Sequence, residues 1–363
     1  QVAACKHMAR SVQFVPDISE AGDLPAQFPK PPNTKKRDSL NSGEASEGAT
    51  FVKTRACVLG AAASQEDGCL ADDGTVSSKD YYNNWDGHQP MDLAIAHKEL
   101  RRRHGSLIFL AGDSSLDNKA WFEDEAPALN GYENFLRPSI MRTDICYWIN
   151  CEAVRQGARN LACLNTAVEA TTLADRANGL LPADQFIHDH ITADDYLVVS
   201  VGGNDVALQP SPCTILNMLT LVRCSSQKCL RWCGCGCLPF SGWCGGRVTH
   251  TGCAGCLRSM LGCACPPGLA YFIDLFGNAV KDYVLRIIGA SRPKKIVICC
   301  IYFLDQQGSS WADEALSALD YDRTPARLQE AIRVIFRAAT RRIRIRGTKV
   351  VAFPLFEVLD GTD

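Results

Sequence analysis

Ser106-Leu-Ile-Phe-Leu-Ala111 runs directly into Gly112-Asp113-Ser114-Ser115-Leu116. A short apolar run halted by glycine predicts a buried strand that ends in a turn. The same unit recurs along the chain. Leu161-Ala-Cys-Leu164 is followed by Asn165-Thr-Ala-Val-Glu-Ala-Thr-Thr172, and Tyr196-Leu-Val-Val-Ser-Val201 by Gly202-Gly203-Asn204-Asp205. Lys295 to Phe303 and Lys349 to Phe353 complete a set of five predicted strands.

Helical patterns separate them. Phe135 to Gln156 carries Ile140, Ile145, Tyr147, Trp148 and Ile149 at helical spacing, and Gly157 suits the C-cap. Leu269 to Ile288 also reads as a helix. A last one opens at Thr324-Pro325, with Thr324 as N-cap and Pro325 in the first helical position. Leu328, Ile332, Ile335, Phe336, Ala339 and Ile343 line its apolar face, and Gly347 ends it. Strands that are apolar throughout, alternating with amphipathic helices, imply a parallel sheet covered on both faces. The expected fold is a three-layer α/β/α sandwich with five parallel strands.

That domain is expected over residues 97–363, with an insertion at 211–268. Residues 1–50, rich in Pro, Ser, Gly and Glu, read as a flexible N-terminal segment, and 51–96 as an N-terminal extension. Of the 363 residues 46% are apolar and 21% charged, enough for a sizeable core. The net charge of −2 gives no overall basic field, which argues against nucleic acid as the main partner. The longest apolar run, Ile296 to Leu304, is too short to span a bilayer. Nothing at the start reads as a signal peptide, and the chain opens on Gln1 rather than Met. No Asn-x-Ser/Thr sequon occurs, and the chain is far longer than secreted disulfide scaffolds, so a reducing compartment is expected.

In an open parallel sheet, ligands sit beyond the carboxyl ends of the strands. Alone, Gly-Asp-Ser is common turn chemistry, and Gly-Gly-Asn-Asp suits a strand-to-loop turn. In this order, each at a strand's carboxyl end, they resemble the blocks of the SGNH (GDSL-type) hydrolase family. Gly112-Asp113-Ser114 is similar to block one, with Ser114 matching the nucleophile. Asn165 to Thr172 resembles block two, with Ala167 and Ala170 where glycines are usual. Gly202-Gly203-Asn204-Asp205 resembles block three, with Asn204 matching an oxyanion-hole side chain. The resemblance covers residues 97–363 apart from the insertion and implies a flavodoxin-like sheet and serine ester hydrolysis without a cofactor.

The implied chemistry suits these residue types. A serine hydroxyl needs a base to become a nucleophile. The oxyanion formed on attack needs preorganised donors, each worth about 10²–10³ in rate. The resemblance gives these as the Ser114 N–H, the Ala170 N–H and the Asn204 amide. Ala170 retains its N–H, aimed correctly if φ there is negative. The family's fourth block, Asp-x-x-His after the fifth strand, has no counterpart in Pro354 to Asp363, where Asp360 and Asp363 are not followed by histidine. The expectation is that the natural chain continues past Asp363 to a base-bearing turn and a helix. His188 and His190 precede the third strand, His88, His97 and His104 precede the first, and His250 lies in the insertion.

Ten of the 19 cysteines fall between Cys224 and Cys265. One Cys-x2-Cys pair, Cys253 and Cys256, occurs there, so paired zinc-ribbon spacing is absent. A small lobe of packed thiols ranks first, peripheral membrane contact second and zinc third. Its place after the Asn204 loop suits a lid or substrate-binding lobe. Arg327, Arg333, Arg337, Arg341, Arg342, Arg344 and Arg346 are expected on a solvated outer helix face. The leading functional reading is a serine esterase or lipase acting on small-molecule or lipid carboxylic esters. The alternative is a catalytically incomplete relative that binds a ligand or a membrane surface.

Overall fold

The five apolar runs pair side by side in a computed structural model, which describes residues 74–225, 227, 230, 268–306, 321 and 323–361. Strands β1 (Ser106–Gly112), β2 (Leu161–Asn165), β3 (Tyr196–Ser200), β4 (Lys295–Cys299) and β5 (Lys349–Phe353) form one parallel sheet in the order β2-β1-β3-β4-β5. Every residue of β1, β2 and β3 is buried, because helices cover the sheet. β5 lies at the edge and its residues are half-buried or exposed. The expected three-layer α/β/α architecture is the one found.

Helices α1 (Ser78–Asn83), α2 (Pro90–Arg103), α3 (Ile145–Arg155), α4 (Pro182–His190), α5 (Gly203–Ala207), α6 (Pro212–Cys224), α7 (Leu269–Ile273), α8 (Val280–Ile288) and α9 (Pro325–Ala338) connect and flank the strands. α7 and α8 are joined by a π-helical turn, Asp274–Ala279. Val76, Tyr81, Tyr82, Leu93 and Ala96 lie in the main core, so residues 76–96 pack on the domain. Among the described residues no helix is long and apolar enough to cross a membrane. Residues 1–73, the cysteine run after Cys224 and His250 lie outside the described residues.

Three local expectations are corrected. The helix expected over Phe135 to Gln156 begins only at Ile145, where the Asp144 side chain caps Tyr147 N at 2.8 Å. Before it, Leu136–Arg137 pairs with Val76–Ser77 and Ile140–Arg142 with Glu125–Pro127. Pro138 has no N–H to continue a helix, and partners remote in sequence take these residues instead. The C-terminal expectation holds: Gly157, at φ +70°, closes α3 with Ala158 N–H on Ala153 O and Gly157 N–H on Val154 O.

β4 stops at Cys299 rather than Phe303. Cys300 N–H makes the last link to β5, on Phe353 O, and Phe303 N–H turns to Leu359 O. Phe303 then stacks on Phe356 with ring centroids 5.0 Å apart. α9 ends at Ala338, and Thr324 makes no side-chain cap bond. The arginines consequently divide. Arg333 and Arg337 reach the buried Glu330 at 3.6 and 3.2 Å, whereas Arg341, Arg342, Arg344 and Arg346 lie beyond α9, exposed, in the segment that leads to β5.

Candidate active site

The carboxyl end of β1 tolerates only glycine. Gly112 sits at φ +138°, and a Cβ there would lie 1.8 Å from Ser200 O on β3. The chain then turns tightly, with the N–H groups of Leu116 and Asp117 both on Asp113 O. The buried Asp113 side chain locks this turn, accepting from Ser115 N at 3.1 Å and Ser115 Oγ at 2.6 Å. Ser114 is left half-buried at its apex. Among the described residues neither its hydroxyl nor its N–H has a hydrogen-bond partner.

The segment after β2 folds over this turn. Val168 N–H donates to Gly112 O at 3.0 Å, and Thr166 Oγ1 to Leu110 O at 2.6 Å. Asn165 braces the base of the loop, its Oδ1 accepting Ala167 N–H at 3.1 Å. Ala170 adopts φ +56°, the left-handed conformation that glycine takes without strain. The negative φ on which the aim of its N–H was conditioned is not found: the loop holds Ala170 on the path a glycine would take, at the cost of strain from the methyl group. The Ala170 N–H, like that of Ser114, has no partner among the described residues.

After β3, Gly202 turns the chain at φ +96°, with Phe276 packed against it. Gly203 opens α5 with ordinary helical backbone, so the turn requires Gly202 but not Gly203. The buried Asn204 directs Nδ2 to Thr171 O at 2.9 Å, which ties it beside Ala170. Asp205 accepts from Leu173 N at 2.8 Å and Ala174 N at 3.2 Å. The three loops thus form one hydrogen-bonded unit that brings Ser114, Ala170 and Asn204 to the same end of adjacent strands.

Several residues in this unit carry no motif. Arg176 is fully buried and donates to Thr172 O at 2.9 Å, Gly112 O at 3.1 Å and Asp184 Oδ2 at 2.9 Å. Asp184 in turn accepts from Tyr283 OH at 2.6 Å. Arg176 joins the first two loops from beneath. On the other side the buried Lys119 grips both Asp117 oxygens, at 2.6 and 2.7 Å, and Asp117 accepts Glu169 N–H at 3.0 Å. The Glu169 carboxylate receives Trp121 Nε1 at 3.2 Å. Neither Arg176 nor Lys119 gives a sequence signal beyond the proximity of Lys119 to Asp117.

Burial shifts the carboxyls of this region upward. Burial raises Asp113 to about 6, against the pull of its Ser115 bonds and of Arg176. Burial, then the neighbouring Asp117, raises Glu169 to about 7. Among the described residues no cluster of His, Cys, Asp and Glu is arranged to hold a metal ion.

No histidine among the described residues bonds Ser114. His88 is buried, stacked on Tyr81, bonded to Tyr81 O and lowered to about 3 by burial. His104 has its ring nitrogens on Arg159 O and Asn130 O. His188 bonds Arg286 O and His190 bonds Phe186 O. His97 packs between Phe109 and Phe186.

No protein-family model and no curated protein matches this chain. Among solved structures, phospholipase A1 from Streptomyces albidoflavus NA297 aligns with 71% of this chain and 99% of its own, at 10% identity and a TM-score of 0.25. Likeness of that degree assigns neither a fold nor an activity.

Proposed function

We propose that this protein is a serine ester hydrolase of the SGNH type, with Ser114 as nucleophile. The observation that carries the reading is that, among the described residues, the Ser114 hydroxyl and the backbone N–H groups of Ser114 and Ala170 have no partner and lie at the same end of adjacent strands. Half-buried donors at the mouth of a parallel sheet are open to an incoming anion. Asn204 supplies the third donor, through the Nδ2 proton that Thr171 O does not take.

Ser114 Oγ attacks the ester carbonyl carbon, and the carbonyl oxygen becomes the oxyanion held by the three donors. Collapse forms acyl-Ser114 and releases the alcohol, which takes a proton. Water then cleaves the acyl group and restores the serine. Trp121, 41% exposed beside Glu169, offers an apolar wall for the acyl chain. The proton taken from Ser114 requires a base, and none of the described histidines fills that role. The second reading is a binding protein that keeps the fold without turnover.

Labelling with a fluorophosphonate separates the two. Adduct formation that disappears in Ser114→Ala is the expected result. An intact protein that takes no label, or one whose Ser114→Ala variant labels equally, overturns the hydrolase reading.

A further inference from the structure

The basic residues gather at the other end of the sheet, where β4 and β5 begin. Lys295 and Lys349 are register partners on those neighbouring strands. The two segments that lead into them, 289–295 and 339–349, contain Arg292, Lys294, Lys295, Arg341, Arg342, Arg344, Arg346 and Lys349, and neither contains Asp or Glu. Such a run of one sign is notable on a chain whose net charge is −2.

The fold draws these cations into one patch. An Ile345↔Thr348 bridge closes a tight turn, with Gly347 at φ +82°. The stem of Arg292 lies against that turn, with its Cγ 3.3 Å from where a Gly347 Cβ would stand. Arg344 donates to Arg341 O at 2.8 Å, which holds the preceding basic turn alongside. Ile343 and Ile345 are buried while Arg344 and Arg346 are exposed, so alternate residues anchor the segment and project charge from it. Lys294 reaches Asp194 at 3.2 Å, an ion pair open to solvent and therefore weak.

We propose that this patch docks the protein on the surface of an anionic phospholipid bilayer. Clusters of four to eight Lys and Arg are attracted to an anionic leaflet, each cation near its surface contributing about 1 kcal/mol. The cations stand on a projecting turn and on strand starts. None of the exposed large apolar or aromatic side chains among the described residues lies in either segment, so unstacked nucleic-acid bases find no platform there. The patch is at the opposite end of the strands from Ser114. A protein docked this way turns its candidate active site away from the bilayer, open to esters arriving from solution. The inference rests on charge and topology, and stands whether or not Ser114 is a nucleophile.

The test is co-sedimentation of the full chain with vesicles of phosphatidylcholine alone and of phosphatidylcholine mixed with phosphatidylserine. Binding is expected only to the mixed vesicles and should fall as salt rises. Each cation near such a surface strengthens binding roughly fivefold, so Arg344→Gln/Arg346→Gln/Lys349→Gln should weaken it on the order of a hundredfold. Lys79→Gln/Lys98→Gln/Arg323→Gln, which removes the same charge from exposed sites outside the patch, should bind like the parent. All six residues are exposed, and matching melting curves will show that the variants fold. Equal binding to both vesicle types, no binding to either, an unaffected patch variant, or tighter binding to single-stranded or duplex RNA than to the mixed vesicles overturns the proposal.

Discussion

Replacing Arg176 with Met tests how the candidate site is held together. The guanidinium and the Asp184 carboxylate lie 2.9 Å apart, with side chains no more than 1% exposed. The same guanidinium donates to Thr172 O and Gly112 O, which belong to the two loops that carry Ala170 and Ser114. Without it, Asp184 retains the Tyr283 hydroxyl and Leu181 N–H but loses its compensating charge. Breaking a buried ion pair from one side costs about 3–5 kcal/mol. That is a large share of the roughly 5–15 kcal/mol that stabilises a typical domain. Urea unfolding should therefore show a much lower midpoint for Arg176→Met. Asp184→Leu alone should cost a similar amount, because it strands the guanidinium. The double variant should lose less than the sum of the singles, by about 0.5–3 kcal/mol of coupling. A single-variant loss below about 1 kcal/mol, within the ordinary range for unremarkable substitutions, would refute the reasoning. So would strict additivity.

Asn204→Ala should lower kcat by about 10²–10³ with KM little changed, because an oxyanion donor acts chiefly in the transition state; steady-state kinetics on a soluble ester would expose a rise in KM instead. Ala170→Gly should stabilise the fold by about 0.5–1 kcal/mol, since it relieves a left-handed alanine at some cost in chain entropy, and a lower urea midpoint would count against the strain. Asp113 is raised from 3.8 to about 6, so its contribution to stability is fully present below pH 3.8 and lost as pH rises through about 6. Melting curves of the parent and Asp113→Asn should therefore diverge across that window, the variant becoming relatively more stable towards neutral pH, and parallel profiles would deny the shift.

How much was legible in advance follows from the range of each signal. The five strands, the helices between them and the carboxyl-end loops were readable because apolar periodicity and turn residues are local. The sequence alone therefore determined the parallel α/β architecture and which three loops meet at the carboxyl end of its strands. It misjudged Phe135 to Thr143, where a helical pattern is pulled into short strands by Val76–Ser77 and Glu125–Pro127, segments it could not know to be neighbours. Whether Ala170 would take a glycine's conformation was likewise beyond it, because the φ of one residue is set by the surrounding loop's bonds to Gly112 and Asn204. Arg176 and Lys119 became visible only through burial, since nothing in their flanking residues distinguishes a structural cation from a solvated one. The arginines from Arg327 to Arg346 read as one helical face and proved to be two groups, because the helix ends at Ala338 and the turn at Gly347 sets the later segment beside Arg292 and Lys295. Tertiary structure decided each of these for the same reason: hydrogen bonds, ion pairs and charge clusters depend on distance in space, whereas a sequence pattern records only distance along the chain.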